Sequence, residues 1–325
     1  MANIPIFIPH AGCKNECAFC NQKSITGQKL PPSFDETEHW IEESIKTLSG
    51  NEHTIAFFGG SFTGIGKDLM EGYLSIAQKY VDKGYVKGIR LSTRPDYITD
   101  EILYILSQYS VTNIELGAQS LDDNVLLMSK RGHTKEDVCT AARLINNREI
   151  TLGLQMMVGL PGDSREKCVA TAEEFVRLNA KETRIYPTVI IKNTLLEKMY
   201  EAGEYVPMSF DEAIDISAEV YDIFTKNGVK VLKIGLHASD ELKKNAVGGF
   251  YHDALGEMVY SRAIRRSVEK EKNALITYNK RFLSKVLGHK KENLDYFDKK
   301  GISCTLKEDN SIDGVCVNGK IVLTI

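Results

Sequence analysis

Along this chain, short apolar runs rich in branched residues alternate with longer stretches whose apolar positions recur at helical spacing. That is the pattern of strand-helix units laid around a parallel sheet. Strands are expected at Ile4–Ile8, Thr54–Phe58, Gly88–Thr93, Asn113–Gly117, Thr151–Val158 and Thr183–Val189. Helices are expected at Asp35–Leu48, Lys67–Lys83, Thr99–Ser107, Asp122–Ser129, Lys135–Asn146 and Ser164–Leu178. Six such units predict an α/β fold, a partial (β/α)6 barrel whose chemistry sits on the loops at the C-terminal ends of the strands. Met156 and Met157, within the fifth strand, read as core.

A helix near Asp211–Lys226 and a strand at Lys230–Ile234 follow, and the character then changes. The chain therefore divides into a barrel over residues 1–240 and a small α+β extension over 241–325, made of helices and a small strand group. Ile302–Leu306 and Asp313–Ile325 are its expected strands, the latter folded back at Asn318-Gly319.

The candidate chemistry begins with Cys13, Cys17 and Cys20, three thiols in eight residues after the first strand. Thiolates suit iron-sulfur clusters, copper(I) and zinc. Three ligands on a cubane cluster leave one iron open, whereas a structural zinc needs a fourth ligand, for which His10 stands three residues away. The other four cysteines, Cys139, Cys168, Cys304 and Cys316, are scattered singly. An odd total without a second grouped motif argues against a disulfide framework and for reducing surroundings. Cys304 and Cys316 either approach each other across a C-terminal hairpin or are ordinary buried thiols.

Further candidates sit at successive strand ends. Gly59-Gly60-Ser61 leaves the backbone open to close approach by a ligand, but Gly66-Lys67 lacks the rest of a phosphate-binding loop. Pro95 biases Arg94 toward an extended backbone that projects its side chain off the third strand, beside Thr93. Glu115, Gln119 and Arg131 form a polar group able to bind a ribose and a carboxylate. His133 reads as a helix-start or surface residue. His237, Tyr251 and His252 either touch substrate at the open side of the barrel or pack a loop.

The cysteine spacing, with Ala18 and Phe19 between the second and third thiols, resembles the signature of radical S-adenosylmethionine (SAM) enzymes. From about residue 4 to 236 the motifs are similar to the radical SAM portion of the Elongator catalytic subunit and its short bacterial relatives, and more distantly to oxygen-independent coproporphyrinogen III oxidase. The resemblance implies an oxygen-sensitive [4Fe-4S] cluster on Cys13, Cys17 and Cys20. It also implies SAM as the second cofactor, cleaved to a 5'-deoxyadenosyl radical that abstracts hydrogen from a substrate, and a flavodoxin- or ferredoxin-type reductant. Gly59 and Gly60 match the segment that holds the SAM amino group, with Ser61 a mild departure where relatives commonly carry an acidic residue or threonine. Gln155, Val158 and Gly159 match the ribose and adenine contacts. Ser92 stands where relatives often carry a glutamate, a departure that puts one SAM contact in doubt.

Composition adds little: 42% hydrophobic, 26% charged and a net charge of -3 demand neither nucleic acid nor a membrane as partner. The first residues lack the features of a signal peptide, and a cytoplasmic enzyme is expected. Residues 262–300 carry 12 Lys plus Arg against 5 Asp plus Glu. Together with Tyr278, Phe282, Tyr296 and Phe297, these basic residues either track an RNA backbone or coat amphipathic helices. Residues 241–325 are too few for an acetyltransferase domain, so the substrate is a small molecule or an RNA, with no acetyl transfer expected of this segment.

Overall fold

In a computed structural model, which describes residues 3–9, 12–13, 16–21 and 30–324, a parallel sheet forms the main layer. Its strands are β1 (Asn3–Ile8), β2 (Thr54–Gly59), β3 (Gly88–Thr93), β4 (Val111–Gln119), β5 (Thr151–Val158), β6 (Glu182–Pro187) and, after the short β7 (Val189–Ile191) outside this sheet, β8 (Lys230–Ile234). They pair in the order β1-β2-β3-β4-β5-β6-β8, a half-barrel of seven strands. The predicted six units are thus joined by the strand at Lys230–Ile234.

Alternation decides the two faces. Ile4, Ile6 and Ile8 of β1, Ile89 and Leu91 of β3, and Leu152, Leu154, Met156 and Val158 of β5 are buried and belong to one continuous core. The residues between them occupy the concave face. Met157 falls on that face and is only half-buried, so it is not the core residue expected.

The helix starts follow from capping chemistry. Ser33 and Glu36 form a capping box at helix α1 (Phe34–Thr47). The next four helices are α2 (Lys67–Asp82), α3 (Asp100–Leu106), α4 (Asp123–Met128) and α5 (Lys135–Asn146). Thr99 and Asp122 cap α3 and α4, and Thr134 forms a second capping box with Asp137 at α5. Ser164, Thr194 and Ser209 cap α6 (Arg165–Arg177), α7 (Leu195–Glu201) and α8 (Phe210–Lys226). Each cap accepts an otherwise unsatisfied N–H of the first turn.

The expected sixth strand, Thr183–Val189, is broken. Pro187 offers no N–H to a ladder, and Thr188 turns aside, donating from its N–H and its hydroxyl to the Val158 carbonyl at 2.9 Å each. The chain continues as β7 (Val189–Ile191), which leaves the main sheet and pairs antiparallel with β9 (Ala246–Gly249).

The C-terminal part also departs from expectation. Residues 262–300 are not helical throughout: β10 (Asn273–Tyr278) buries Ala274, Ile276 and Tyr278 at every second position. It is central in a sheet ordered β11 (Ser303–Glu308), β10, β12 (Val315–Val317), β13 (Lys320–Leu323). The β12-β13 hairpin does turn at Asn318-Gly319, both residues having positive φ. Because β10 lies between β11 and β12, Cys304 and Cys316 do not face each other across a hairpin.

Helix α9 (Asp240–Asn245) leads into β9, and the longer α10 (Leu255–Val268) packs on α8. Arg262 meets Asp211 and Asp215, and Arg266 meets Glu219 and Asp222. Arg265 pairs with Glu292. These three arginines of the basic segment hold helices together and are not a free track for a polyanion.

Candidate functional site

The cysteine segment is fastened to the barrel mouth from three sides. Ala18 N–H donates to Ser129 O at 2.9 Å, and Leu196 N–H donates to Ala18 O at 2.7 Å. The Asn21 side chain reaches Lys192 O at 3.2 Å. Phe19 packs against the buried group Ile190, Leu196 and Tyr205. On the other side, a Cβ at Gly12 would stand 2.2 Å from the Ser61 carbonyl oxygen, and Gly12 has φ +75°, so no other residue fits. The Gly-Gly loop is equally close to β1: Gly60 N–H donates to Ile8 O at 2.7 Å, and Gly59 has φ +110°.

Cys13, Cys17 and Cys20 are free thiols, the first exposed and the others half-buried. Cys13 Sγ lies 3.7 Å from Ser61 Oγ. Cys17 Sγ accepts a hydrogen bond from Arg131 Nη1 at 3.0 Å. Among the described residues no three His, Cys, Asp or Glu side chains are gathered on one metal position. His10 lies outside the described residues.

Around this loop the structure leaves buried polar atoms without partners. Arg94 has the expected extended backbone, but its side chain does not project freely. It forms a fork with Asp96 at 2.9 and 3.0 Å, leaving Nη1 unsatisfied. Gln119, 9% exposed and at φ +69°, has an unpartnered Oε1. Gln119 Nε2 and Arg131 Nη2 both crowd Gly117, where a Cβ would stand 3.1 and 3.4 Å from them. Gln119 and Arg131 thus meet at Gly117, as expected of a common polar group. Thr93 is turned away, its hydroxyl 2.7 Å from that of buried Thr63.

Glu115 is not at the mouth with them. It is 1% exposed and sits lower on the concave face between two arginines. Arg184 donates to it at 2.5 and 3.2 Å, and Arg90 lies at 3.1 Å. Arg90 also meets Glu182 at 2.5 Å, and Asn113 donates to Glu182 at 3.2 Å. Burial opposes ionisation of Glu115, but the hydrogen bond and charge of Arg184, then Arg90, hold its carboxyl below the usual range. Gln155 Nε2 donates to Glu115 at 3.1 Å and to Ser92 at 3.4 Å. The Arg184 guanidinium lies 5.3 Å from the Phe58 ring centre.

Val158 and Gly159 are engaged by the fold. The Val158 carbonyl takes both Thr188 bonds. Gly159 N–H donates to Asp163 at 2.9 Å, and Gly159 O accepts from Tyr205 at 2.5 Å. Burial raises the pKa of Asp163 despite the hydrogen bonds it receives from Cys168 and from backbone N–H groups. His237 and His252 lie on the loops around β9, His237 exposed and His252 at the surface beside the Phe210 ring. The His252 Nδ1 accepts from Ala254 N–H at 3.0 Å, and Tyr251 donates to Asp253 at 2.7 Å while its ring packs near Val189, Ile191 and Leu242. These bonds are local to the loop.

Sequence reasoning passed over Arg90, Arg184 and Glu182, although a signal existed: each is a charge on the concave parity of its strand. His133 does stand at a helix start, directly before the Thr134 cap of α5, but it is not at the surface: it is 4% exposed and donates to Ala118 O at 3.2 Å. Burial, with Arg131 and Arg94 nearby, lowers its pKa to about 3, so the ring is neutral.

Comparison with known proteins accords with this arrangement. A family model described as the radical SAM superfamily matches residues 7–175, more than half of the chain, and a radical SAM C-terminal domain model matches residues 180–265. An uncharacterized protein of Methanocaldococcus jannaschii is 28% identical over 63% of this chain and 66% of its own length. A tRNA uridine(34) acetyltransferase of Methanocaldococcus infernus is 31% identical over 52% of this chain but only 32% of its own length. Human Elongator complex protein 3 is 28% identical over 58% of this chain and 38% of its own. The chain thus spans a minor part of those two larger relatives. In fold, the Methanocaldococcus infernus Elp3 structure superposes with a TM-score of 0.66 at 21% identity, over 94% of this chain and 64% of that one.

The residues fit the family's cofactors: three reachable thiols on one anchored loop, and unsatisfied buried donors and acceptors beside it, suit a cluster and a zwitterionic nucleoside. The chain belongs to the radical SAM superfamily, enzymes whose cofactors are a [4Fe-4S] cluster and S-adenosylmethionine.

Proposed function

We propose that Cys13, Cys17 and Cys20 hold the cluster, and that this enzyme abstracts hydrogen from an unidentified substrate at the barrel mouth. When bound and reduced, the cluster would supply one electron for reductive cleavage of SAM to methionine, the hydrogen that completes 5'-deoxyadenosine coming from the substrate and the electron from a flavodoxin- or ferredoxin-type protein. The protein's own share is position and exclusion of water. The observation that carries this reading is the anchored cysteine loop, whose Cys17 is bonded to Arg131, with Gln119 meeting that arginine at Gly117 and with the buried Gln119 Oε1 and Arg94 Nη1 lacking partners. Gly59, Gly60 and Ser61, held beside the cysteine loop, are assigned to the amino acid end of SAM. Gln155, whose amide N–H groups are spent on Glu115 and Ser92, turns its remaining acceptor to ribose hydroxyls. Phe19 shields the cluster side of the loop.

RNA is the second reading of the substrate. It is favoured by relatives named tRNA uridine(34) acetyltransferase and by the exposed Lys290 and Lys291. The division at residues 240 and 241 accompanies either reading, the extension serving as the substrate-facing module.

The test is anaerobic reconstitution with iron and sulfide, dithionite reduction, and quantification of 5'-deoxyadenosine from SAM, with Cys17→Ala as control. Product from wild type alone supports the assignment. A chain that assembles no cluster but carries one zinc overturns it.

A further inference from the structure

Strand β4 runs in register with β5 as far as Leu116 and Leu154, then slips before Gln119 meets Met156. On its other side β3 ends at Thr93, opposite Leu116. Gly117 and Ala118 fall inside this shift, opposite no residue of β3 or β5, and their carbonyls take side-chain donors. The segment Arg131-Gly132-His133 satisfies both. Arg131 Nη2 donates to Gly117 O, and His133 Nε2 donates to Ala118 O at 3.2 Å. A carbonyl only accepts, so Nε2 carries the proton. Gly132, at φ +70°, lets these two side chains reach the same strand end. The segment itself is fixed to α4, Arg131 N–H donating to Leu126 O at 2.9 Å.

Directly after this slip stands Gln119, in a left-handed conformation that a non-glycine residue adopts only when its surroundings impose it. Strand slips of this kind re-aim side chains beside functional sites. Here the re-aimed group ends in a buried acceptor with no partner.

We propose that His133 is a positioning residue. By holding the Ala118 carbonyl it keeps the end of β4 in the slipped form that presents Gln119 Oε1 to SAM, where an acceptor suits an ammonium or hydroxyl donor. This rests on the proposed SAM site. The same segment reaches Cys17 through Arg131, so one tripeptide sets both the strand end and one wall of the cysteine loop.

The experiment measures SAM affinity by anaerobic equilibrium dialysis on the reconstituted full chain, with iron and sulfide content determined in parallel. Failure of wild type to bind SAM defeats the proposed function and leaves nothing for His133 to position. Given wild-type binding, His133→Phe is expected to weaken it about tenfold at unchanged cluster content, and His133→Gln, which keeps a donor, to stay within about threefold. Gln119→Ala is expected to lose about tenfold as well, and the double variant His133→Phe/Gln119→Ala no more than Gln119→Ala alone. Wild-type affinity in His133→Phe, multiplying losses in the double variant, or loss of the cluster from a folded His133→Phe would overturn the proposal. If His133→Phe does not fold, His133→Gln decides: a tenfold loss in that donor-keeping variant overturns it, and retained affinity, lost on adding Gln119→Ala, supports it.

Discussion

The concave face of the barrel holds two polar regions that differ in how fully they are satisfied. Lower down, Arg90, Arg184, Glu115 and Glu182 form two positive and two negative charges, each carboxylate meeting an arginine, with Arg90 Nε the one fully buried atom among them without a partner. At the mouth, Gln119 Oε1, Arg94 Nη1 and His133 Nδ1 are buried without partners. The lower group is neutral and self-sufficient, and it has the marks of a structural brace. The upper group is incomplete by itself, as a surface built for a ligand is. The charge that looked most like a ligand contact, Glu115, belongs to the brace, and the histidine that looked incidental belongs to the mouth.

The sharpest way to break this comparison is to remove Glu115. Glu115→Ala leaves Arg184 and Arg90 buried with one carboxylate fewer, and a loss of about 3–5 kcal/mol is expected from breaking a buried ionic group on one side. Urea denaturation measures it, and a loss below about 1 kcal/mol would mean that the lower group braces nothing.

Acid sharpens the contrast next. The folded pKa of His133 lies below its unfolded value, so its contribution to stability is intact above pH 6.5 and is lost as pH falls, because the unfolded chain takes up a proton that the folded chain refuses. Between pH 7 and pH 5 this amounts to about 2 kcal/mol. Stability curves for wild type and His133→Gln should therefore converge or cross as pH falls to 5, and parallel curves would contradict the buried neutral ring. Glu115, held low by Arg184, responds in the same direction only below the ordinary carboxylate range.

Gln119→Gly separates function from stability. Relief of the left-handed backbone at residue 119 is expected to stabilise the fold by up to about 1 kcal/mol, while SAM binding weakens by about tenfold. Thermal denaturation and dialysis read the two effects, and movement in the same direction would mean that Gln119 is not strained for the sake of the site. The smallest effect on the barrel belongs to Lys290→Glu/Lys291→Glu. Stability and RNA-free SAM cleavage should be unchanged, whereas any salt-dependent RNA binding should fall, with a salt slope reduced by about one for each phosphate no longer neutralised.

Much of the fold was legible because its causes are local. Apolar residues at helical spacing marked the helices whose first turns Ser33, Thr99, Asp122, Thr134 and Ser164 cap, and branched runs such as Thr151–Val158 marked strands. The break at Pro187 was missed because Thr188 turns toward a carbonyl on a different strand. The strand Asn273–Tyr278 was hidden by the lysines on either side of it, which suggested one basic helical segment. At the site, the three thiols, the Gly-Gly turn, Gln119 and Arg131 were recognisable by type and order. The roles of Glu115 and His133 were not, since both depend on what stands opposite them.

What the sequence by itself determined is the chemistry available: three closely spaced thiols, glycines where the backbone must be approached, and a repeated strand-helix period that carries these motifs to the same end of a barrel. Only the tertiary structure decided which charges neutralise one another and which polar atoms remain unsatisfied. Pairing depends on register between strands, and where the ladder slips after Leu116, Arg131 and His133 reach the Gly117 and Ala118 carbonyls and Gln119 takes a left-handed backbone.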